Sequence, residues 1–268
     1  MVGLAFFVLS RRFRGDFMQR PSWLEGARRL VILAALGSLA APAAAQAQIH
    51  RVNRSDSKQA IDFTLGYFAL KGLDSRVNSD ALLGDLQNSQ PLLFEVKDFN
   101  GAVIGGDWLV SIGRNVEAGV GLGYYQRTAP SVYATLQHPD QTEIQQDLKL
   151  RTIPVTFTAR LLPLGRGNVI EPYIGAGIAA IRWRYSEIGE FVDTDLSTFN
   201  ARYIADGTAV GPVFVGGLRA PVGDVFSIGG ELRYQKVEGN TGGIANGFLG
   251  DKIDLGGWTG NFVVHMRF

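Results

Sequence analysis

The chain has no cysteine and only three histidines, His50, His138 and His265, among its 268 residues. Without cysteine there is no disulfide scaffold, no thiolate metal site and no cysteine nucleophile. With so few histidines we expect no metal site, and the sequence shows no sign of another cofactor. From Ile61 onward there is also no run of about 18 apolar residues, which a membrane-spanning helix requires. A net charge of +1 gives no reason to expect a nucleic-acid partner.

The amino-terminal segment differs in composition from the rest of the chain. Two arginines (28–29) precede a short apolar stretch (30–41), and small residues such as Ala45-Gln46-Ala47 follow. This order is typical of a cleaved secretory signal peptide, and the apolar stretch is short for a bilayer span. We therefore predict a signal-peptide region over 1–47, in which 1–17 is an over-extended start, a short arm over 48–59 and one folded domain over 60–268.

From residue 60 onward, apolar and polar residues alternate with the period of two that marks a β-strand with unlike faces. In the second such segment one face carries Ile104, Trp108 and Val110, whereas the other carries glycine, serine and aspartate. The pattern predicts eight strands: 60–70, 101–113, 116–127, 151–161, 170–185, 209–220, 225–235 and 258–268. The fifth is ambiguous, because Glu171 and Arg182 have opposite parity. A β-bulge, or a position of Glu171 at the rim, would resolve it.

The connections between these segments alternate in length. Three are short and rich in turn residues, near 114–115, 163–168 and 221–224. The other four are long and polar, and they cover about 71–100, 128–147, 186–207 and 236–252. This alternation is typical of an up-and-down meander whose long loops all project from one end.

The two strand faces bear on the choice between a transmembrane barrel and a soluble all-β domain, such as a lipocalin-like barrel. One face is aliphatic and aromatic, and the other mixes charges with many of the 34 glycines. Glycine and charge make a poor solvent-facing strand surface but suit the inside of a narrow barrel. An even strand number, short turns and long loops favour the transmembrane barrel. The soluble domain remains the alternative.

Three features carry a family resemblance: the eight-strand meander, the PYIGAGI run at 172–178, and the terminal segment IDLGGWTGNFVVHMRF that ends at Phe268. In them the chain resembles the small OmpA/OmpX-type outer-membrane β-barrel proteins over about 60–268. The resemblance implies an all-β, eight-stranded antiparallel barrel in the outer membrane of a Gram-negative-type bacterium. The arm and short turns would face the periplasm. It also implies that Phe268 is an assembly signal for the barrel-assembly machinery.

Aromatic residues are expected at both membrane interfaces. We predict a girdle near the long-loop ends of the strands and another at the turn ends, formed by Tyr67, Trp108, Tyr124, Trp183, Tyr185, Tyr234 and Trp258 and by Phe226 and Phe268, respectively. The basic residues Lys149, Arg151, Arg182 and Arg184 either contact lipopolysaccharide phosphates or form a solvated rim. Outer-membrane lipid and lipopolysaccharide are therefore expected partners of a monomeric chain.

Charged residues on the polar face are predicted to line the lumen. Side chains just fill an eight-stranded barrel, so buried charges of both signs must pair. The predicted ion-pair network comprises Asp62, Asp107, Glu117, Arg160, Arg219, Glu231, Arg233, His265 and Arg267, and Arg127 shares their parity. A structural plug of ion pairs and a gated narrow conduit both fit this pattern.

The sequence shows no catalytic constellation. His265 is predicted to point inward without a serine partner, and His138 lies in a long connection. The GVGLG run at 119–123 lacks the helix and the glycine spacing of a dinucleotide turn. We therefore expect a structural or surface-contact protein and no enzyme. A narrow, porin-like pore for small solutes or ions and a surface adhesin acting through the long loops are the alternatives.

Overall fold

The computed structural model describes residues 58–193 and 195–268. The predicted signal peptide, His50 and most of the arm lie outside these residues. Within the described ranges no helix is both long enough and apolar enough to cross a bilayer. Eight antiparallel strands form the main sheet: β1 (Gln59–Leu70), β2 (Gly101–Ile112), β3 (Val116–Gln137), β4 (Glu143–Leu161), β5 (Glu171–Val192), β6 (Thr198–Val222), β7 (Phe226–Gln235) and β8 (Gly257–Arg267).

The main sheet closes into a barrel. Each strand pairs with its neighbours in the chain, and β8 pairs with β1 along an unbroken ladder from Ala60↔Arg267 to Leu70↔Gly257. The remaining ladders complete the ring, with one register irregularity between Val132 and Gln137. This arrangement confirms the predicted eight-stranded up-and-down barrel. The connections β2–β3, β4–β5 and β6–β7 mark one end, which we call the short-turn end; the opposite end is the long-loop end.

An apolar surface surrounds the barrel towards the short-turn end. Large apolar side chains point outward on every strand, and their exposure is high; Leu65 is 61% exposed and Phe262 is 55% exposed. We call this surface the apolar belt. Its members include Phe63, Leu65, Ile104, Val120, Leu122, Phe157, Ile174, Ile178, Phe214, Leu218, Ile228, Leu232 and Phe262. Such a surface matches the hydrocarbon of a bilayer and is unfavourable in water.

One side of the barrel is much taller than the other. Strands β1, β2, β7 and β8 have 10 to 12 residues, whereas β3 to β6 have 19 to 25. The long connections predicted over 128–147 and 186–207 are therefore wrong, because these residues are mostly strand with turns near 138–142 and 193–197. The extra ten or so residues correspond to roughly 30 Å of strand length. We call this part of β3 to β6 the extended wall.

At the upper edge of the belt, the inward face of each tall strand changes from polar to apolar, and the outward face changes from apolar to polar. On β4, Phe157 points outward and Arg160 inward near the short-turn end, but higher up Arg151 points outward and Leu150 inward. The inside of the barrel is thus polar within the belt and apolar above it. The outside changes in the opposite sense.

This exchange resolves the parity problem of β5. Glu171 is fully buried in the lumen and Arg182 is exposed on the outer surface above the belt. The ladders on both sides of β5 run without a register shift. The suggested β-bulge is therefore absent, and Glu171 is the first residue of β5, with its side chain directed into the lumen. Glu171 and Arg182 have opposite parity because the polar side chains of β5 point inward at the level of the belt and outward above it.

The other two long connections fold over the long-loop end. Residues 71–100 contain helix α1 (Ala81–Gln87), the 3₁₀ turns Leu73–Ser75 and Val96–Phe99, and the strand Leu92–Leu93; residues 236–256 contain the paired strands Glu238–Asn240 and Lys252–Asp254 and the 3₁₀ turn Gly243–Asn246. Their buried side chains Leu82, Phe99 and Phe248 pack with inward residues of the extended wall. We call this cluster the apolar plug.

The apolar plug explains why part of the predicted girdle is wrong. Trp183 and Tyr185 point inward and are 2% and 0% exposed, because they belong to the plug. Trp108 does point outward, but it lies nearer the short-turn end of β2. Tyr67 and Trp258 are exposed towards the long-loop ends of their strands, and Tyr234 packs on Trp258. Tyr124 is exposed opposite Ile104, but it lies nearer the short-turn end of β3. Phe226 and Phe268 are exposed at the short-turn end.

Candidate functional site

The structure brings all nine predicted network residues together inside the barrel, at the level of the belt. Arg160 is at the centre of one group. Its Nη1 lies 2.7 Å from Asp62, and its Nη2 lies 3.0 Å from Asp107 and 3.1 Å from Glu231. Arg233 lies 2.9 Å from both Asp107 and Glu231. Three carboxylates thus share two guanidinium groups.

The strand register makes Arg160 necessary. Asp62 on β1 lies directly opposite Asp107 on β2 in the ladder. Like charges in directly opposed positions destabilise a sheet, and burial removes the water that would screen them. The Arg160 guanidinium reaches both carboxylates from β4 and neutralises this contact. Gly121 leaves room for the Asp107 carboxylate, because a Cβ atom at Gly121 would clash with Asp107 Oδ1 and with the Thr156 hydroxyl.

Arg219 is at the centre of a second group. Its guanidinium lies 2.5 Å from Glu117 and 2.9 Å from Glu171, and Arg267 lies 2.9 Å from the same Glu171 oxygen. His265 joins the two groups, because its Nδ1 lies 2.6 Å from Asp62 and 3.3 Å from Arg219. We call both groups together the ion-pair layer.

Several pairs in this layer cross the lumen. Arg160 reaches from β4 to β1, Arg219 from β6 to β3, and Arg267 from β8 to β5. In a ring of eight strands, a separation of three is close to the full diameter, so each pair ties opposite walls together. Arg160 and Arg219 are each 1% exposed. The layer therefore fills the lumen at this level, as expected for side chains inside eight strands.

Two members of the layer were missed from the sequence. Glu171 binds both Arg219 and Arg267, and the Tyr173 hydroxyl donates a 3.0 Å hydrogen bond to Glu231. The Tyr173 ring also lies 5.0 Å from the Arg160 guanidinium carbon, a cation–π contact. Both residues share their parity with Gly175 and Gly177, which was the available signal. Arg127 is not in the layer, because it lies at the long-loop end and donates to the Asp98 carbonyl.

A second buried ion-pair group, also missed, organises the segments over the long-loop end. The Arg76 guanidinium lies 2.9 Å from Asp80, and Asp80 caps helix α1 by accepting from the Leu82 amide at 3.0 Å. Asp80 also accepts from the Asp254 amide, and Lys71 pairs with the Asp254 carboxylate at 3.0 Å. These contacts connect residues 71–100 to residues 236–256, so the two segments close the long-loop end as one unit.

Helix α1 also brings a carboxyl against the inner face of the extended wall. Asp85 is 3% exposed, and its Oδ2 accepts from the Tyr185 hydroxyl at 3.4 Å, with Glu187 as a further hydrogen-bond neighbour. Burial raises the pKa of Asp85 to about 7. This contact therefore depends on protonation near neutral pH.

We expect docking of residues 71–100 to weaken as the pH rises. The unfolded carboxyl titrates near pH 4, so between about pH 4 and 7 the docked Asp85 keeps a proton that the free segment loses. The contribution of Asp85 to the stability of the docked segment is therefore largest below about pH 4, decreases between about pH 4 and 7, and stays constant above about pH 7. Hydrogen exchange of the segment, corrected for intrinsic rates, should be faster near pH 8 than near pH 5. In Asp85→Asn the difference should shrink, and an undiminished difference would assign it to another group.

The other candidate residues lie away from the layer. His138 contacts Glu190 at 2.8 Å near the tip of the extended wall. Lys149, Arg151, Arg182 and Arg184 lie on the outer surface, just above the belt. In the part of the chain that the structure describes, no group of three or more His, Asp and Glu side chains is placed to hold a metal ion.

Comparison with known proteins gives structural matches alone. No protein-family model matches the chain, and no curated protein does. Neisserial surface protein A matches with 12% identity and a TM-score of 0.43, over 78% of this chain and 96% of its own. OprG from Pseudomonas aeruginosa matches with 11% identity and a TM-score of 0.44, over 81% and 99%. Outer membrane protein W of E. coli matches with 14% identity and a TM-score of 0.37, over 81% and 100%.

The fold is assigned from the chain's own geometry. Within the belt the strand ladders close without a free edge, as backbone in hydrocarbon requires. The belt presents apolar side chains outward on every strand, and the charges of the same strands pair inside. A closed ring of strands with an apolar exterior and an ion-paired interior is the architecture of a membrane-spanning β-barrel, and this chain has that fold.

Proposed function

We propose that the chain is a closed outer-membrane β-barrel with a structural and surface-contact role. The observation that carries the proposal is that the lumen is filled at two levels, by the ion-pair layer and by the apolar plug. A transport protein needs a continuous path, whereas a scaffold needs a rigid wall. The extended wall supports the contact role, because it presents paired strands beyond the membrane instead of flexible loops.

Planar-bilayer recordings test the closed lumen against the alternative of a narrow pore. We propose that the wild-type barrel shows no single-channel conductance. A variant that lacks most of residues 73–98 should also stay closed, because the ion-pair layer alone fills the lumen. Stepwise conductance of the wild-type protein would favour the pore. Gel mobility with and without boiling confirms in each case that the barrel is folded.

Surface contact is the second half of the proposal. The tips of the extended wall are the turns near 138–142 and 193–197, and they are the parts furthest from the belt along the strands. Bacteria that display the chain should attach to a surface or a partner cell through these tips. Replacing both tips with Gly-Ser turns should abolish attachment without changing barrel stability. Equal attachment with and without the tips would remove the adhesin role.

We propose that Phe268 guides assembly by the barrel-assembly machinery. Its side chain is 56% exposed at the short-turn end, and its amide donates to the Gln59 carbonyl. Exposure leaves the ring available to a binding partner, while folding needs little from it. Deletion of Phe268 should therefore lower the amount of barrel in outer-membrane fractions but leave refolding in detergent unchanged. Phe268→Tyr is the matched control and should keep normal levels.

A further inference from the structure

A cavity of about 290 Å³ lies between the end of helix α1 and the inner face of the extended wall. This volume is close to the lower end of the range for small-molecule sites, about 300–1,000 Å³. Two of its lining residues, Phe199 and Leu249, are 40% and 54% exposed, so the cavity opens to solvent at the long-loop end. We call it the wall cavity. Its lining includes carboxyl, amide and aromatic side chains: Asp85, Gln146, Glu187, Phe191, Phe199 and Tyr203.

Two buried hydrogen-bond acceptors in the wall cavity have no donor. Gln146 and Glu187 are 3% and 4% exposed. Gln146 Nε2 donates to the Tyr133 hydroxyl at 3.1 Å and to the Glu190 carbonyl at 2.9 Å, and these bonds fix the orientation of the amide. Among the residues that the structure describes, neither Gln146 Oε1 nor Glu187 Oε1 has a hydrogen-bond partner. An unsatisfied buried acceptor is unfavourable, so a ligand that donates to both would be stabilised.

The strand register brings these two acceptors close together. Gln146 lies opposite Gly189 in the β4–β5 ladder, so Glu187 is its diagonal neighbour, about 7–8 Å away along the backbone. One donor group between the two side chains can therefore reach both. Asp85 adds a second carboxyl from helix α1, and burial raises the pKa of Glu187 well above its usual range. A bound cation would offset this cost, because it favours the ionised carboxylate.

Aromatic rings line the adjoining part of the wall cavity. Tyr203 lies directly opposite Glu187 in the β5–β6 ladder. The Phe191 ring lies 4.8 Å from the Tyr203 ring and 6.0 Å from the Phe199 ring, measured between centroids. Such rings bind a further aromatic ring by stacked or edge-to-face contacts. Among the described residues that line the cavity, none is basic. The cavity therefore has the chemistry to hold a cation with an apolar body.

We propose that the wall cavity binds a small aromatic primary amine, with its ammonium group between Glu187 and Gln146 and its ring against the aromatic residues. A primary ammonium carries three N–H donors, enough for both unsatisfied acceptors. A quaternary ammonium has the charge but no donor, and an amino acid brings a carboxylate that the acidic lining repels. Ligand binding of this kind goes beyond the surface-contact role proposed above and does not depend on it.

Isothermal titration calorimetry with 2-phenylethylamine tests the proposal on the full-length protein, refolded in a non-ionic detergent. Titration into protein-free micelles gives the background heat. The wild-type protein should bind this amine at least about tenfold more tightly than phenylalanine, 2-phenylethanol or trimethyl(2-phenylethyl)ammonium, because each of these lacks a favourable charge or its donors. Butylamine, which resembles a lysine side chain, should bind more weakly because it has no ring.

Glu187→Gln should weaken binding of the amine about tenfold or more, since a hydrogen bond to a charged group is lost. Asp147→Asn is the matched control, because it neutralises an exposed carboxylate on the outer face of β4, next to Gln146 in the chain. It should keep the wild-type affinity. Phe199→Ala removes an exposed ring and should weaken binding about threefold or more. It takes the place of Glu187→Gln if unboiled gel mobility shows that this variant does not fold.

Several results would overturn the proposal. No heat above the micelle background would mean that the wall cavity holds water alone. Equal affinity of the wild-type protein and Glu187→Gln would place the amine elsewhere. Phenylalanine binding as tightly as the amine would contradict a site that rejects carboxylates, and tighter binding of butylamine would indicate a lysine side chain of a partner protein. Because binding is measured in micelles, these results are separate from the conductance and attachment tests of the proposed function.

Discussion

Replacing Arg160 with methionine should lower the free energy of unfolding by about 3–5 kcal/mol, the range measured when one partner of a buried ion pair is removed. Methionine keeps much of the length of the side chain but supplies no charge. Asp62 and Asp107 would then face each other across the β1–β2 ladder without the guanidinium that lies 2.7 and 3.0 Å from them. Glu231 would keep Arg233 as its ion-pair partner and the Tyr173 hydroxyl as a hydrogen-bond donor.

Urea titration of the refolded barrel, followed by unboiled gel mobility, measures this change. Arg182→Met is the matched control, because it removes an arginine from an exposed pair with Asp206. Exposed pairs contribute about 0–1 kcal/mol. Arg160→Met/Asp62→Asn should recover part of the loss, since the opposed like charges are then reduced to one. If Arg160→Met and Arg182→Met had equal effects, the ion-pair layer would not stabilise the barrel.

The ion-pair layer could be predicted because one rule governs it. Within the belt every strand is apolar outside and polar inside, so parity alone assigns a charge to the lumen. Asp62 on β1 and His265 on β8 have this parity in the sequence, and the structure places them opposite each other in the β1–β8 ladder at 2.6 Å. Strand number and the three short turns followed from the same alternation.

The extended wall could not be predicted from that rule, because above the belt the apolar side chains point inward and the polar side chains point outward. Residues 143–150 alternate as regularly as any barrel strand, with Ile144, Leu148 and Leu150 on one side. Their polar outer face, however, suggested a loop when the apolar face was expected to contact lipid. Only the three-dimensional position of the apolar plug shows what Leu148 and Leu150 pack against.

The girdle residues Trp183 and Tyr185 failed for the same reason. Both are large aromatics near the long-loop end of a strand, which is where an interfacial ring is expected. Their parity follows Glu171 and Tyr173, which point into the lumen. Parity was therefore the better guide than residue type on β5. Residue type indicates a preferred surrounding, but only the face of the strand determines which surrounding a side chain has.

The surroundings of the belt give the sharpest test of the fold. Phe262→Arg, in the middle of β8, should destabilise the barrel in phospholipid vesicles by about 2–4 kcal/mol, because a cation near the bilayer midplane is costly. Phe262 is 55% exposed. At an exposed site in water, a polar substitution is usually within about 0.5 kcal/mol of neutral. The size of the effect therefore reports whether the belt contacts hydrocarbon or water.

Depth provides the internal control for this measurement. Asn200→Arg places the same side chain on the exposed upper part of β6, opposite Glu190 and far above the belt. Its cost should be about 0–1 kcal/mol, as for positions outside the hydrocarbon. Guanidinium titration of vesicle-inserted protein, followed by tryptophan fluorescence, compares both variants with the wild type. If Phe262→Arg were as mild as Asn200→Arg, the belt would be a surface exposed to water, and the soluble alternative would regain its place.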